Sequence, residues 1–394
     1  MSGSPDDRLR QTIRDALGTL QRGDAAGAFA ALTRAASEHP NNAELKLHQA
    51  VALRVLNRLP EALRMLDAAL AIDPYFFLAL LSKGALQERM GDARRAARTF
   101  RDALRIAPRP EMTPPALEPQ IRHAREVVAA EAAALAAHLR DRLAPLRTHF
   151  ADSPLARFDE CLDVFAGTKR IHHAQPVQLC MPRLPAIPFF ERELFPWLPT
   201  LEAGTATIRA ELEALLDAGM PGFAPYIDYP PGTPENQFAE LNRSTRWSSL
   251  WLWRDGVRQD EAIARCPKTA ALLERLPLAD QPGYAPTALF SALAPHTRIP
   301  PHHGSTNTRL LVHLPLVLPG PAGFRVGNET RAWRIDEAWV FDDTIEHEAW
   351  NDADETRVIL IFDVWNPLLS DAERELVSAM MTARDQWYAR PAES

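Results

Sequence analysis

The chain has 394 residues, a formal net charge of −7 at pH 7, an apolar fraction of 46% and a charged fraction of 24%. These proportions are typical of a folded soluble protein with two or three domains. The mildly acidic balance argues against a nucleic-acid-binding surface.

The cysteines and the absence of a leader predict the compartment. Cys161, Cys180 and Cys266 show no CxxC spacing, which argues against a disulfide scaffold and for a reducing environment. Neither a basic, apolar leader nor an apolar run of about 18 residues is visible. The sequence therefore predicts a cytoplasmic protein that does not use a membrane as a partner.

Residues 6–108 repeat with a period of 34 residues. The repeated positions are Pro40, Pro74 and Pro108; Ala28, Ala62 and Ala96; Ala35, Ala69 and Ala103; Leu32, Leu66 and Phe100; and Ala16, Ala50 and Gly84. The pattern resembles the tetratricopeptide repeat, in which small residues let two helices approach closely and proline ends the second. It predicts an all-α solenoid of three repeats. The solenoid either holds a peptide or protein partner or stabilises the following domain, and both alternatives remain open.

The next elements are predicted from composition and periodicity. Residues 124–150 are rich in Ala and Leu and predict one long helix, so 109–150 is assigned as a cap on the last repeat. Residues 151–183 have little periodicity and are predicted to be a linker. The second domain is predicted to span 184–394.

Within 184–394 the periodicity changes from helical to β-type. Residues 205–218 place Ile208, Leu212 and Leu215 on one face, which predicts an amphipathic helix. Residues 247–253 alternate as a strand does. From residue 287 onward, short β-type runs follow one another at intervals of about eight to twelve residues, as in a double-sheet barrel. Residues 372–388 predict a closing helix.

Residues 302–357 carry the candidate chemistry. His302 and His347 lie 45 residues apart, each beside a β-type run, and Arg357 follows His347 by ten residues. Imidazole suits iron, and open positions on a His-ligated Fe(II) serve oxygen chemistry. An arginine deeper in the same pocket would bind a carboxylate through two hydrogen bonds.

Six short blocks occur in order between Phe290 and Pro367. They are Phe290-Ser291; Pro301-His302-x-Gly304-x-Thr306-Asn307; Arg309-Leu310 with His313-Leu314; Gly327-Asn328-Glu329-Thr330-Arg331-x-Trp333; Phe341-Asp342-Asp343-x-x-Glu346-His347-Glu348-x-Trp350; and Arg357 with Asp363-Val364-Trp365. Together they resemble the aspartyl/asparaginyl β-hydroxylases, which are Fe(II)- and 2-oxoglutarate-dependent oxygenases. The resemblance implies a double-stranded β-helix, a jelly roll of the cupin type, with flanking helices.

The resemblance also implies a metal site. His302 and His347 would be the iron ligands. Gly304 stands where most oxygenases of the superfamily have the carboxylate of a 2-His-1-carboxylate triad, and the β-hydroxylase family is known for a two-histidine site. Asp343 either holds a water at the vacant position or is a turn residue, and both interpretations remain open.

The cosubstrate residues follow from the same resemblance. Arg357 and Ser291 would bind the distal carboxylate of 2-oxoglutarate, and His313 would lie near its other carboxylate. The family often has an arginine two residues before that histidine, where this chain has Leu311. Arg309 therefore either substitutes for it or corresponds to an earlier family arginine and faces elsewhere.

The implied activity is hydroxylation of a C–H bond by an enzyme. The first hypothesis is that the enzyme hydroxylates the β-carbon of Asp or Asn in a protein or peptide that the repeats would hold. One alternative is a free amino acid or a lipid-linked acyl chain as substrate. The other is a repeat-based interaction protein with an inactive oxygenase core, against which the intact His302, His347, Arg357 and Ser291 argue.

Overall fold

The computed structural model describes residues 5–234 and 236–389. The chain divides into two compact units between Arg170 and Ile171. None of the helices in the described ranges is long and apolar enough to cross a lipid bilayer.

The first unit is helical. Its helices are α1 (Pro5–Gln21), α2 (Ala25–Glu38), α3 (Ala43–Val55), α4 (Leu59–Ile72), α5 (Phe77–Arg89), α6 (Ala93–Arg105), α7 (Glu118–His149) and α8 (Ala156–Ala166). Consecutive helices pack pairwise, α1 on α2, α3 on α4 and α5 on α6, and α7 then packs on α6. This confirms the predicted all-α repeat fold.

The residues of the 34-residue period explain the hairpins. Asp24 and Asp92 begin α2 and α6, where each side-chain carboxylate accepts the backbone N–H of the third residue along. Gly23 and Gly91 precede them with positive φ, a conformation that glycine adopts without steric cost. The repeated alanines that are fully buried are Ala62, Ala69, Ala96 and Ala103. The period is therefore set by helix caps and by close helix contacts.

Gly84, in the third repeat, allows a close contact with Phe100, and this contact predicts that a side chain at position 84 lowers stability. A Cβ at Gly84 would lie 2.6 Å from ring atoms of Phe100. Overpacking of this kind costs about 1–3 kcal/mol, more than the helix-propensity gain of about 1 kcal/mol from replacing glycine. We expect Gly84→Ala to lower the melting temperature of the first unit. Circular dichroism at 222 nm measures it.

Gly18→Ala is the matched control for this steric argument. Its Cβ would meet only Nη1 of Arg22, at 3.4 Å, and that atom ends a flexible side chain. The same substitution should therefore raise stability by about 0.5–1 kcal/mol. Equal stabilisation by both substitutions would contradict the close packing at Phe100.

The stretch predicted to be a linker contains a helix and part of the second unit. Leu162 and Ala166 of α8 pack against Ala136 of α7. This helix is short, so its apolar residues leave only a weak periodic signal in the sequence. Farther along, the backbone N–H of Val177 donates to the carbonyl oxygen of Gly304, 3.0 Å away. Residues from 171 onward thus belong to the second unit, and the exact domain boundaries remain predictions.

The second unit contains short helices and antiparallel strands. The helices are α9 (Leu198–Ala203), α10 (Thr205–Asp217), α11 (Asp260–Arg265), α12 (Pro267–Leu273) and α13 (Asp371–Ala389). The strands are β1 (Ala224–Pro225), β2 (Trp247–Arg254), β3 (Val257–Arg258), β4 (Ala288–Leu293), β5 (Thr297–His302), β6 (Arg309–Val317), β7 (Ala322–Val326), β8 (Glu329–Ala332), β9 (Trp339–Phe341), β10 (His347–Asn351) and β11 (Arg357–Trp365).

The strands form two sheets. The larger has the order β1-β2-β4-β11-β6-β9, with β3 paired to β2, and the smaller has the order β5-β10-β7-β8. Helices α9 to α12 cover one face of the larger sheet with apolar side chains such as Leu201, Leu212 and Leu273. The other face packs on the smaller sheet across Phe324, Phe341 and other aromatic residues. This confirms the predicted double-sheet jelly roll with flanking helices.

Candidate active site

Two histidines face each other across neighbouring strands of the smaller sheet. His302 ends β5 and His347 begins β10, and the two are direct register partners in the antiparallel pair. Their ring centroids lie 4.0 Å apart. The fold therefore brings together two side chains that are 45 residues apart in the sequence.

Backbone carbonyls fix the orientation of both rings. Nδ1 of His302 lies 2.8 Å from the carbonyl oxygen of Pro300, and Nδ1 of His347 lies 3.0 Å from that of Ile345. A carbonyl only accepts, so each Nδ1 carries the proton and donates it. Nε2 of each ring is left with a free lone pair, which is the arrangement that second-sphere groups impose on metal-binding histidines.

Burial keeps the two rings neutral. It lowers the pKa of His302, and it lowers the pKa of His347 well below its usual value, with the neighbouring His302 adding to the effect. A neutral imidazole is the form that binds a metal. The loop before His347 is held by Asp342, whose carboxylate accepts from the backbone N–H and the hydroxyl of Thr344 at 2.9 and 2.5 Å.

Asp343 occupies the space that a side chain at position 304 would need. A Cβ on Gly304 would lie 1.9 Å from Oδ2 of Asp343. Burial, with the charge of Asp342 second, raises the pKa of Asp343 to about 8. A carboxyl group, mainly protonated at neutral pH, therefore lies beside the two histidines although the residue two positions after His302 has no side chain.

Arg357 is a buried cation in the same chamber. It begins β11, is 1% exposed, and its guanidinium lies 5.3 Å from the ring of Trp333. Nε and Nη1 have no hydrogen-bond partner among the described residues, and burial lowers the pKa to about 10. Unsatisfied buried N–H donors of an arginine are suited to bind a carboxylate that enters the chamber.

Ser291 and His313 line the chamber with Arg357. Ser291, in the middle of β4, accepts a hydrogen bond from Nε1 of Trp247 at 3.2 Å. His313 on β6 stacks on Trp333 with ring centroids 5.7 Å apart, and its Nδ1 has no partner among the described residues. Burial, with Arg357 second, lowers the pKa of His313 well below its usual value.

Arg309 lies outside this chamber. Its guanidinium pairs with the carboxylate of Asp363 and donates to the carbonyl oxygen of Tyr284 at 2.8 Å. It lines a neighbouring cavity of about 480 Å³, which adjoins the chamber along Leu311 and Asp343. The geometry therefore favours the second alternative from the sequence, in which Arg309 faces elsewhere, and its part in cosubstrate binding remains a prediction.

The chamber is small and mostly apolar. Its volume is about 250 Å³, and its walls include His302, His347, Arg357 and Phe324. Pockets for drug-sized ligands span roughly 300–1,000 Å³, so this one suits a smaller molecule. Among residues 5–234 and 236–389, no group of three His, Cys, Asp or Glu side chains is arranged to hold a metal ion.

Sequence reasoning missed several residues of the site. Trp247 was predicted only as part of a strand, and Trp333 only as part of a motif, yet these two contact Ser291 and Arg357. A signal was available, because tryptophan Nε1–H usually finds a partner when it is buried. The Asp363 partner of Arg309 carried no such signal, since the two are 54 residues apart.

Two parts of the chain are similar in sequence to known proteins. Residues 202–367 match the family model of aspartyl/asparaginyl β-hydroxylase, and residues 19–76 match a tetratricopeptide-repeat model. An ornithine lipid ester-linked acyl 2-hydroxylase of Rhizobium tropici is 34% identical over 50% of this chain and 68% of that protein. The human aspartyl/asparaginyl β-hydroxylase is 38% identical over 37% of this chain and 19% of that protein.

The chain matches most relatives over only part of their length. The aspartate β-hydroxylase domain-containing protein 2 of Xenopus tropicalis, for example, is 32% identical over 52% of this chain and 54% of that protein.

Proposed function

The chain belongs to the aspartyl/asparaginyl β-hydroxylase family, and on that basis we propose that it is an Fe(II)- and 2-oxoglutarate-dependent hydroxylase. The observation that carries the proposal is the chamber itself. Two neutral histidines with free Nε2 atoms, His302 and His347, share it with the unsatisfied guanidinium of Arg357. These groups fit a small metal-chelating dicarboxylate bound beside a metal ion.

Each residue has a defined part in this proposal. Nε2 of His302 and of His347 bind the iron, and the carbonyls of Pro300 and Ile345 keep these atoms deprotonated. Iron and 2-oxoglutarate, when bound, supply the oxygen activation that C–H hydroxylation requires. Asp343, which fills the space beside Gly304, would hydrogen-bond a water at the metal position that no protein carboxylate takes.

The cosubstrate is oriented by the larger sheet. Arg357 and the hydroxyl of Ser291 bind the distal carboxylate, and His313 lies near the other end. The aromatic walls, which include Phe324 and Trp333, exclude water from the reacting atoms. Leu311 is uncharged and stands where the family often has an arginine. The carboxylate of 2-oxoglutarate next to its keto group is therefore held by fewer contacts than in relatives that have this arginine.

The proposed substrate is a protein or peptide that is hydroxylated at the β-carbon of an Asp or Asn. This side chain approaches through the adjoining cavity of about 480 Å³. We further propose that the repeats hold such a polypeptide. A lipid-linked acyl chain is the second candidate, because the relative that this chain covers over 68% of its length is named as an acyl hydroxylase. An inactive core is the remaining alternative.

One screen tests these proposals together. Purified full chain is supplied with Fe(II) and 2-oxoglutarate and offered peptides, free amino acids and acylated amino-acid lipids. Succinate formation reports on the activity, and a mass gain of one oxygen atom identifies the substrate. Succinate formation without a modified substrate would support the proposed oxygenase activity but not the proposed substrate class. The absence of succinate with every candidate would contradict the proposed activity.

Because Asp343 fills the space beside Gly304, we expect that adding the missing carboxylate of a 2-His-1-carboxylate triad at position 304 does not improve the enzyme. Gly304→Asp places a Cβ 1.9 Å from Oδ2 of Asp343, so one of the two side chains must move. Overpacking in a buried site costs about 1–3 kcal/mol. We expect lower stability and no gain in 2-oxoglutarate turnover, measured by thermal melting and succinate release.

The double variant Gly304→Asp, Asp343→Gly is the control for this clash. It moves the carboxylate from one position to the other and removes the collision, so its melting temperature should recover. A single Gly304→Asp variant more active than the parent would contradict the proposed two-histidine site.

A further inference from the structure

A row of arginines covers the exposed face of α6, the second helix of the third repeat. Its members are Arg94, Arg98, Arg101 and Arg105, and all four are exposed. They follow one another in steps of four, three and four residues. At about 100° per residue, this spacing places them within about 60° of one another around the helix axis, along about 16 Å. These four residues form the arginine row.

The repeat fold does not require the arginine row. The opposite face of α6 buries Ala96, Phe100 and Ala103 against α5 and α7, and that contact stabilises the repeat. The corresponding positions, one and two periods earlier, hold Pro60, Arg64, Asp67 and Ala71 in the second repeat and Ala26, Ala30, Thr33 and Ser37 in the first. Only the third repeat has a positive side chain at all four positions, so the row is an addition to the repeat pattern.

The arginine row is only loosely paired with carboxylates. Nε of Arg94 lies 3.9 Å from Oε1 of Glu131, and Nη1 of Arg105 lies 3.7 Å from a carboxylate of its own helix. Arg98 and Arg101 form no salt bridge within the part of the chain that the structure describes. Exposed pairs at such distances contribute little stability and exchange readily. The positive charge of the row is therefore available to a partner.

The positive charge of the first unit is concentrated around this row. Residues 93–109 contain six arginines and one aspartate, a net charge of +5. Residues 1–170 contain 25 Lys and Arg and 21 Asp and Glu, a net charge of +4, whereas the whole chain has −7. The excess positive charge of the first unit thus comes from this one stretch. A basic patch within an otherwise acidic chain indicates an anionic partner.

The form of the row favours an anionic lipid surface over a polypeptide or a nucleic acid. The row is a ridge along one helix rather than a groove that could enclose a peptide. The exposed residues of α6 are Ala93, Asp102 and arginines, so none of them offers an aromatic ring on which a base could stack. Lipids move sideways within a membrane, so anionic headgroups can collect opposite four guanidinium groups without a fixed complementary pattern.

We propose that the arginine row docks the chain on an anionic lipid surface through phosphate-bearing headgroups. The apolar face of α6 is already buried in the repeat, so the helix does not insert, and the contact is peripheral, electrostatic and reversible. The sequence-based expectation that no membrane is a partner depended on the absence of an apolar span, which a charged row does not need. The proposal does not depend on the enzyme activity, although a lipid surface would also present the second candidate substrate.

Flotation of the full chain with vesicles tests the proposal. Vesicles of phosphatidylcholine are compared with vesicles that also contain phosphatidylglycerol, at about 100 mM salt, where the Debye length is about 10 Å. We expect binding to the anionic vesicles only, and its loss at about 1 M salt, where charges are screened within about 3 Å. Absence of binding to the anionic vesicles, or equal binding to the neutral ones, would overturn the proposal.

The double variant Arg98→Glu, Arg101→Glu tests the row itself. One basic residue near an anionic surface contributes about a factor of five to partitioning, so the loss of two lowers it at least about 25-fold. Each new carboxylate lies four residues from an arginine of the row, Arg94 or Arg105, which supports the helix. The melting temperature should therefore stay close to that of the parent. Partitioning equal to that of the parent would remove the row from the contact.

The double variant Arg10→Glu, Arg34→Glu is the matched control. Both arginines are exposed in the first repeat, and the change in net charge is the same. Exposed charges act over about a Debye length, so partitioning should fall by less than about threefold. A loss as large as that of the row variant would show that net charge rather than the arginine row determines binding, and would overturn the proposal.

Two further polyanions distinguish the lipid surface from the other partners. Polyglutamate and a single-stranded RNA are each offered to the full chain at the same concentration of negative charge as the anionic vesicles. We expect weaker binding to both than to the vesicles. Tighter binding to either, with the same dependence on Arg98 and Arg101, would assign the row to an acidic polypeptide or to a nucleic acid and overturn the lipid surface.

Discussion

His302→Ala and His347→Ala are each expected to lower iron-dependent 2-oxoglutarate turnover by at least about 100-fold. Loss of a group that only orients a metal ligand already costs about 10–100-fold, so loss of the ligand itself should cost more. Two histidines supply the protein ligands in the proposed site, which leaves little to hold the metal when one is removed. Succinate release at saturating Fe(II), together with an iron-binding titration, measures the effect.

The fold should survive both substitutions. Within the described part of the chain, the rings of His302 and His347 hydrogen-bond only to the backbone carbonyls of Pro300 and Ile345, each two residues away. Thermal melting checks that each variant remains folded.

His303→Ala is the matched control. His303 lines the same chamber, but its Nδ1 donates to the carbonyl oxygen of Thr344 at 2.9 Å, and its sequence position is not that of a ligand. Most activity should remain in this variant. Full turnover in His302→Ala or His347→Ala would remove that histidine from the metal site.

The sequence predicted those parts of the site that depend on local pattern. His302, His347, Ser291, His313 and Arg357 all line one chamber, because the motif blocks that contain them are strand ends and strand centres of the two sheets. Side-chain alternation along a strand determines which face each residue takes, so a pattern of period two carries this information. Whether they bind iron and 2-oxoglutarate remains a prediction.

What the sequence could not predict depends on contacts between distant segments. The pairing of Arg309 with Asp363 requires the register of β6 on β11, which no local pattern specifies. The Asp343 carboxylate fills the space beside Gly304 because the loop before β10 passes next to the end of β5. The backbone hydrogen bonds of residues 177–179 with the loop after β5 likewise join segments more than about 120 residues apart, a separation that local pattern does not reach.

Arg357→Lys is expected to raise the KM for 2-oxoglutarate by about tenfold or more. Each charge-assisted hydrogen bond to a carboxylate is worth about 1.5–3 kcal/mol, and about 1.4 kcal/mol corresponds to one factor of ten. Lysine keeps the charge but loses the planar pair of donors. Arg357→Ala should have a larger effect, and iron affinity should change little in either variant.

Burial excludes the simplest alternative for this residue. An exposed ion pair with Asp354 or Glu355 would be worth only about 0–1 kcal/mol, and its loss would leave the KM unchanged. Arg357 is 1% exposed, and two of its nitrogens have no partner among the described residues. A buried cation with unsatisfied N–H donors destabilises the free protein, so Arg357→Met should raise the melting temperature in the absence of 2-oxoglutarate.

Arg309→Lys completes the comparison, because Arg309 is a partly buried arginine that, like Arg357, begins a strand of the larger sheet. Its guanidinium is paired with Asp363, so breaking that fork should lower the melting temperature and leave the KM for 2-oxoglutarate nearly unchanged. Titration of 2-oxoglutarate at saturating iron measures both arginine variants. A raised KM in Arg309→Lys would show that Arg309 replaces the family arginine absent at Leu311, whereas an unaltered KM in Arg357→Ala would remove Arg357 from the site.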